Sequence, residues 1–347
     1  MQRGTRFLRA FCRLSGVHVR TGCCLKVHKC SIRPFDLRSL HLSSRNMAYN
    51  TIERGRLNTT DYRVFITNEC GQPISAFHDI PLYADAENKV CNMIVEIPRW
   101  TNHKMEISKD DELNPIKQDV KKGKVRFVKN CFPHHGYIWN YGALPQTWED
   151  VDHVEPSTGT KGDNDPLDVC EIGQTVHKRG SVIQVKILGV MCLVDEGETD
   201  WKILCIDVND PLAPQLNDVE DIERVMPGFI KATREWFIIY KIPDGKPPNK
   251  FAFSGEAKNR EFALKVIEET HAQWQKLVGD GEAKRGSMKC LNVSVASSPY
   301  KIEPEQTKAI IEQTASVGPP DDLPEDVDKW HYIPASALDS EQAQSSL

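Results

Sequence analysis

The stretch from Gly162 to Lys202 constrains the fold most. It opens with Gly162-Asp163-Asn164-Asp165-Pro166-Leu167-Asp168 and closes with Asp195-Glu196-Gly197-Glu198-Thr199-Asp200-Trp201-Lys202. Between these acidic knots Ile183, Val185 and Ile187 alternate with Gln184 and Lys186, the period of a half-buried strand. Trp201 to Val208 reads as the next strand, which makes Asp195 to Asp200 the hairpin connection. In the first knot Asp163 and Asp165 share a face if extended. Pro166 bars helix for its predecessor and interrupts the strand, so Asp168 curls back beside them. Carboxylates so placed repel and raise one another's pKa, and such an arrangement needs cations. With no Cys or His in either knot, the donors are hard oxygens, which suit magnesium, manganese or calcium rather than zinc or iron. Either knot alone reads as a solvated Asp turn; the two together favour a metal site. An EF-hand loop does not fit, because counting from Asp163 the sixth position is Asp168 instead of Gly and the twelfth is Gln174.

At 347 residues, 39% hydrophobic and 27% charged, the chain can bury a sizeable core as one large domain or two. No apolar run reaches membrane-spanning length. Residues 1–46 carry ten Lys or Arg and one acid, Asp36; with the overall charge of -5, the body is left at -14. The Arg-rich, Ser-containing leader with interspersed Phe and Leu has the pattern of a mitochondrial transit peptide. The matrix is the expected compartment, with cytoplasm expected for a product begun at Met47. A reporter fused to residues 1–46 would test this, and a cytosolic fusion would reject it. A basic arm for nucleic acid is the alternative reading of the leader. Of eleven Cys, four lie in the leader and none forms a Cys-x-x-Cys pair, so the rest are expected as reduced, mostly buried thiols.

Along the chain, Glu96 sits on a strand ending at Pro98, where Met93, Val95 and Ile97 are expected to point one way and Asn92, Ile94 and Glu96 the other. Lys104 and Glu106 then share a strand face opposite Met105 and Ile107: either a solvent-facing ion pair or a phosphate-binding ammonium beside a metal-binding carboxylate. In the basic run from Lys117 to Lys129, Arg126 stands inside a strand, and its guanidinium fork suits phosphate oxygens. The aromatic stretch from His134 to Gly142 offers Tyr137 and Tyr141 as hydroxyl donors. Leu216 to Tyr240 reads as helical, divided at Gly228, and ends in a turn with Tyr240 and Lys241. A second helix spans about Lys258 to Leu277. Helical character fades after Glu303 into an acidic tail whose last ten or so residues are expected to be disordered. The Gly-rich phosphate loops and the nucleophile elbow are missing from the sequence.

Seven carboxylates (Glu96, Glu106, Asp163, Asp165, Asp168, Asp195, Asp200) stand against four cations (Lys104, Arg126, Lys202, Lys241) and three phenols (Tyr137, Tyr141, Tyr240). That balance suits several divalent ions meeting a polyphosphate, with a water activated between metals as nucleophile. The Asp163 to Val169 segment resembles the Asp-x-Asp-Pro-x-Asp signature of soluble family I inorganic pyrophosphatases. Val95 to Trp100, Gly136 to Gly142 and Asp195 to Lys202 are similar to the eukaryotic branch, and the resemblance covers about residues 48–300. It implies an α+β fold, a five-stranded closed barrel of the OB type flanked by helices, with N- and C-terminal extensions. The corresponding division is a leader at 1–46, a catalytic domain at 47–302 and an extension at 303–347. It further implies hydrolysis of pyrophosphate to two phosphates without a covalent intermediate, with about three to four Mg2+ per site during turnover and Mn2+ as a possible substitute. By matching positions, Asp163, Asp168 and Asp200 are principal metal ligands, and Glu106 and Asp195 bind the metals that arrive with substrate. Asp165 is the base, with Tyr141 beside it. Arg126, Lys104, Tyr240 and Lys241 clamp pyrophosphate with Lys202 nearby, and Glu96 and Tyr137 lie just behind. Arg99, Trp100 and His135 match a homodimer contact. An OB-type binder of single-stranded nucleic acid would need a basic groove, which the acidic body opposes; a silent relative acting as a scaffold is the other alternative.

Overall fold

The computed structural model describes residues 48–279 and 286–338, all within one compact unit, Ser44–Leu347. The leader, Met47 and the last nine residues of the tail lie outside the described residues. In chain order the strands that matter are β1 (Asn50–Arg54), β2 (Arg63–Thr67), β3 (Val90–Ile97), β4 (Met105–Ile107), β5 (Ile116–Gln118), β6 (Asn140–Ala143), β7 (Asp168–Glu171), β8 (Val182–Asp195) and β9 (Glu198–Asp207). The helices are α1 (Val219–Val225), α2 (Phe229–Ile239), α3 (Arg260–Gly279) and α4 (Gln306–Glu312). Among the described residues no helix is long and apolar enough to cross a membrane.

Five strands pair in a closed ring. β8 and β9 form the long antiparallel hairpin, β9 runs parallel to β7, β6 is antiparallel to both β7 and β3, and β3 is antiparallel to β8. The β8–β9 connection is tighter than expected: Asp195 pairs with Glu198, so only Glu196 and Gly197 turn, both at positive φ (50° and 98°). A two-residue turn of this kind matches the twist of its strands, and it leaves Asp200 inside β9 instead of in a loop.

Alternate side chains of the ring feed two cores. Met93, Val95, Val169, Val185, Ile187, Ile203 and Cys205 form one, sealed by Ala263, Val266 and Ile267 of α3. Ile94, Cys170, Leu188, Met191, Leu204 and Ile206 join the other, with Trp236 and Phe237 of α2 and the β1–β2–β5–β4 sheet. Ile97 departs from its expected face and belongs to this second core. The reason is local: the β6–β3 register shifts between Tyr141 and Gly142, breaking the strict alternation.

The division of the Leu216–Tyr240 segment falls where expected, with Gly228 at φ 85° as the N-cap of α2. Trp139 locks α2 to the ring, stacking on Phe237 at 4.8 Å and donating its indole N–H to Thr233 at 3.0 Å. Residues 303–338 fold back onto this body. Asp321 pairs with Arg56 and Asp326 with Lys129, and Trp330–His331 adds a parallel strand to Asn130–Cys131. Among the described residues all seven cysteines are free thiols, six of them buried.

Candidate active site

The ring order β6–β7–β9 lines up the first group of functional side chains. Asp168 at the head of β7 is the cross-strand partner of Ala143 and of Lys202, while Asp200 and Lys202, two apart, share a face of β9. The Lys202 ammonium, with only 3% of its side chain exposed, therefore contacts Asp168 and Asp200 at 2.5 Å each and Tyr141 at 2.9 Å. Tyr141 donates its hydroxyl to Asp168 at 2.5 Å.

A second group comes from the β4 side. Backbone hydrogen bonds close a triangle among Lys104, Asp119 and Arg126. Asp119 then accepts from both cations, Lys104 at 3.1 Å and Arg126 at 2.5 Å. Lys104 also reaches Glu106 at 3.0 Å, so this pair faces the cleft and the purely solvent-facing alternative falls away. Glu96 ties β3 to β4 by accepting from the Ile107 N–H at 2.6 Å. The C-terminal end of α2 supplies the third group: the Lys241 ammonium meets both Asp195 oxygens at 2.6 Å, and Tyr240 donates to Asp195 at 3.4 Å.

The loop carrying Asp163 and Asp165 is shaped by its own chemistry. Asp163 accepts from the Asp165 N–H at 2.9 Å across Asn164, which stands at φ 71°. The Glu149 backbone brackets the same loop, donating to Asp165 and accepting from Asn164, and Trp148 donates to the Asn164 side chain at 3.0 Å. Gly162 permits this approach, because a Cβ there would lie 2.6 Å from the Glu149 carbonyl carbon. Lys109 pairs with Asp165 at 2.6 Å.

Most of the charged and phenolic side chains of these groups line one cleft of about 270 Å³. It gathers Glu96, Lys104, Glu106, Arg126, Tyr137, Tyr141, Asp163, Asp165, Asp168, Asp195, Asp200, Lys202, Tyr240 and Lys241. The other three residues singled out in the sequence lie elsewhere. Trp100 (59% exposed) and His135 are on the surface. Arg99 is half-buried and turns its guanidinium to the Gly173 carbonyl. Three site residues escaped the sequence reading: Asp119, Lys109 and Glu149. Asp119 pairs with both Lys104 and Arg126 of the cleft wall, and its position as the one acid in an otherwise cationic run is the available signal. Nothing local marked Glu149 or Lys109.

The cleft wall holds nine carboxylates, including Glu196 and Glu198, against four cations. Burial, opposed by Lys202 and reinforced by Asp168, pushes Asp200 up to about 7. Burial and then the Asp168 charge hold Glu96 well above the usual carboxylate range, and the same two causes keep the Tyr141 proton in place. For Lys202 burial works against the charge, but Asp168 and Asp200 outweigh it and the ammonium stays protonated. Lys104 behaves likewise under Glu106 and Asp119. Glu149, Asp163 and Asp200 each offer an oxygen within 4.8 Å of the others, and one Glu149 oxygen is buried without a hydrogen-bond partner. An oxygen-only donor set with unbalanced negative charge fits a hard divalent cation.

The inorganic pyrophosphatase family profile matches residues 93–275. An inorganic pyrophosphatase of Schizosaccharomyces pombe is 58% identical over 290 residues, 84% of this chain and 99% of that protein. One of Drosophila melanogaster is 56% identical over 291 residues, 84% of this chain and 86% of that one. In three dimensions, the inorganic pyrophosphatase of Schistosoma japonicum superposes with a TM-score of 0.77 at 50% identity, covering 82% of this chain and all of that one. The clustered acids and cations of the cleft thus sit in a chain that belongs to the soluble family I inorganic pyrophosphatases.

Proposed function

We propose that this cleft is where the chain, an inorganic pyrophosphatase by family, hydrolyses pyrophosphate, with Mg2+ as the working cation and Mn2+ as a substitute. The observation that carries the reading is the convergence of nine carboxylates and four cations on one cleft large enough for a small polyanion. Asp163, Asp168 and Asp200 would hold the resident cation, and Glu106 and Asp195 those that arrive with substrate. When bound, Mg2+ supplies positive charge to the substrate oxygens and acidifies water.

The chain's own groups do the rest. Lys104, Arg126, Tyr240, Lys241 and Lys202 face the cleft as N–H and O–H donors, and they hold the non-bridging oxygens of pyrophosphate. Tyr137 and Glu96 pack behind them and fix their positions. Asp165 keeps 41% of its side chain open to the cleft and takes a proton from the attacking water. The water oxygen bonds to one phosphorus, the bridging P–O bond breaks, and two phosphates leave, with no bond to the protein at any stage. Tyr141 keeps its proton and orients Asp168 beside that base. In this proposal the five-strand ring is an OB-type barrel, with 303–347 as its C-terminal extension.

Phosphate release by the protein lacking residues 1–46 tests the reading. Rapid release with Mg2+ is expected, abolished by excess chelator and restored by added metal; folded, metal-loaded protein that releases none would reject it. We also propose a homodimer through the surface that carries Trp100 and His135, beside an exposed aromatic patch. There Trp330 lies 6.3 Å from His135 and 5.5 Å from Phe132, and Phe132, Trp330 and Tyr332 are all exposed. Such a contiguous apolar patch marks an interface. Trp100→Glu is expected to shift sedimentation from dimer to monomer with the fold retained; a wild-type chain that sediments as a monomer refutes the proposal.

A further inference from the structure

Glu149 joins the two acidic segments that the chain keeps far apart in sequence. Its backbone pairs with Asn164 and Asp165 on one side. Its side-chain Oε1 accepts from the Trp201 N–H at 3.1 Å on the other, the residue directly after Asp200. Glu149 is 3% exposed, and its second oxygen, Oε2, has no hydrogen-bond partner. A buried carboxylate oxygen without a partner is costly. Native structures keep one where something absent from the protein atoms completes it. The cluster that this side chain forms with Asp163 and Asp200 shows what: the three residues offer oxygens within 4.8 Å of one another, close to the span of roughly 4–5 Å across a six- to eight-coordinate hard cation.

We infer that Glu149 is a further donor to the divalent cation held by Asp163 and Asp200, with Oε2 turned to the ion while Oε1 anchors β9 behind it. This rests on reading the cleft as a metal site. The arrangement divides the labour within one carboxylate. Oε1 keeps Asp200 in register with the Asp163 loop, and Oε2 adds negative charge on the side of the ion away from substrate.

Glu149→Gln separates these duties, since the amide oxygen still accepts from Trp201 while the second oxygen becomes an N–H2 that cannot ligate. Binding of Mn2+ to the full chain without pyrophosphate, read by the loss of the free-ion electron paramagnetic resonance signal, is the measurement. The Kd of the tightest site is expected to rise by about 10- to 100-fold in Glu149→Gln, with the metal-free melting temperature unchanged. Glu149→Ala removes both oxygens, and it is expected to weaken Mn2+ as much and also to lower the metal-free melting temperature. A Glu149→Gln protein that binds Mn2+ within threefold of wild type overturns the inference and leaves the metal reading of the cleft intact. If the wild type itself binds no better than Asp200→Asn, the metal reading falls and the inference with it.

Discussion

Asp165→Asn is expected to lower kcat for pyrophosphate hydrolysis by about two to four orders of magnitude, the usual contribution of a positioned base, and to leave the fold in place. The structural cost is small because the Asp165 side chain makes one ion pair, with Lys109, and keeps 41% of its surface open to water. Half-exposed pairs of this kind contribute at most about 1 kcal/mol. The loop does not depend on that carboxylate. Its shape comes from Asp163 accepting the Asp165 N–H, from the Glu149 backbone and from Trp148, and all of these survive the substitution. Amide and carboxylate are the same size, so substrate should still bind, and the loss should fall on kcat with KM little changed. Stopped assays of phosphate release alongside thermal melts distinguish the cases. Near-normal turnover in a folded Asp165→Asn protein would remove Asp165 from the role of base.

What could be read from the chain, and what could not, follows from how far each contact reaches. The acids at Asp163, Asp165 and Asp168 are legible because a single Asp-Pro-containing window shapes them, and Asp200 with Lys202 because strand alternation alone puts i and i+2 on one face. Lys104 and Glu106 were ambiguous on the same grounds: alternation says they share a face and cannot say whether that face meets water or Asp119. Closure of the ring was out of reach of periodicity, since the parallel pairing of Asp168 with Lys202 joins residues whose strands carry no mark of each other. The same limit hid Glu149, which meets Asp165 through the backbone and Trp201 through its side chain. The misjudged face of Ile97 has a different origin, a register shift that only the neighbouring strand reveals.

Lys202→Met tests whether a cation is what allows those acids to face one another. Lys202 has 3% of its side chain exposed and is the ammonium in contact with both Asp168 and Asp200. Met fills nearly the same volume without charge, so the packing between Tyr141 and Phe237, over whose rings the ammonium lies at 5.5 Å each, is largely kept. Removing one partner of a buried ion pair costs about 3–5 kcal/mol, because the other charge is left uncompensated. In chelator near pH 8 the variant is therefore expected to melt roughly 10 °C below wild type. The deficit should shrink in acid. Asp200, already pushed up from 3.8 to about 7, binds its proton more tightly in the folded state than in the unfolded one. Its neutral form thus contributes stability that is fully present below pH 4 and lost as pH rises through about 7. Without Lys202 to oppose the shift, the folded pKa moves higher still, so the protein unfolds more readily as the pH climbs. Saturating Mg2+ should recover most of the lost stability if, as proposed, a divalent ion is held at these acids, because its charge would replace the one removed. A melting temperature unaffected in chelator would show that Lys202 does not hold the acids together; a loss equally large with Mg2+ would make its role one of shape, and the charge argument for the whole cleft would have to rest on the remaining cations.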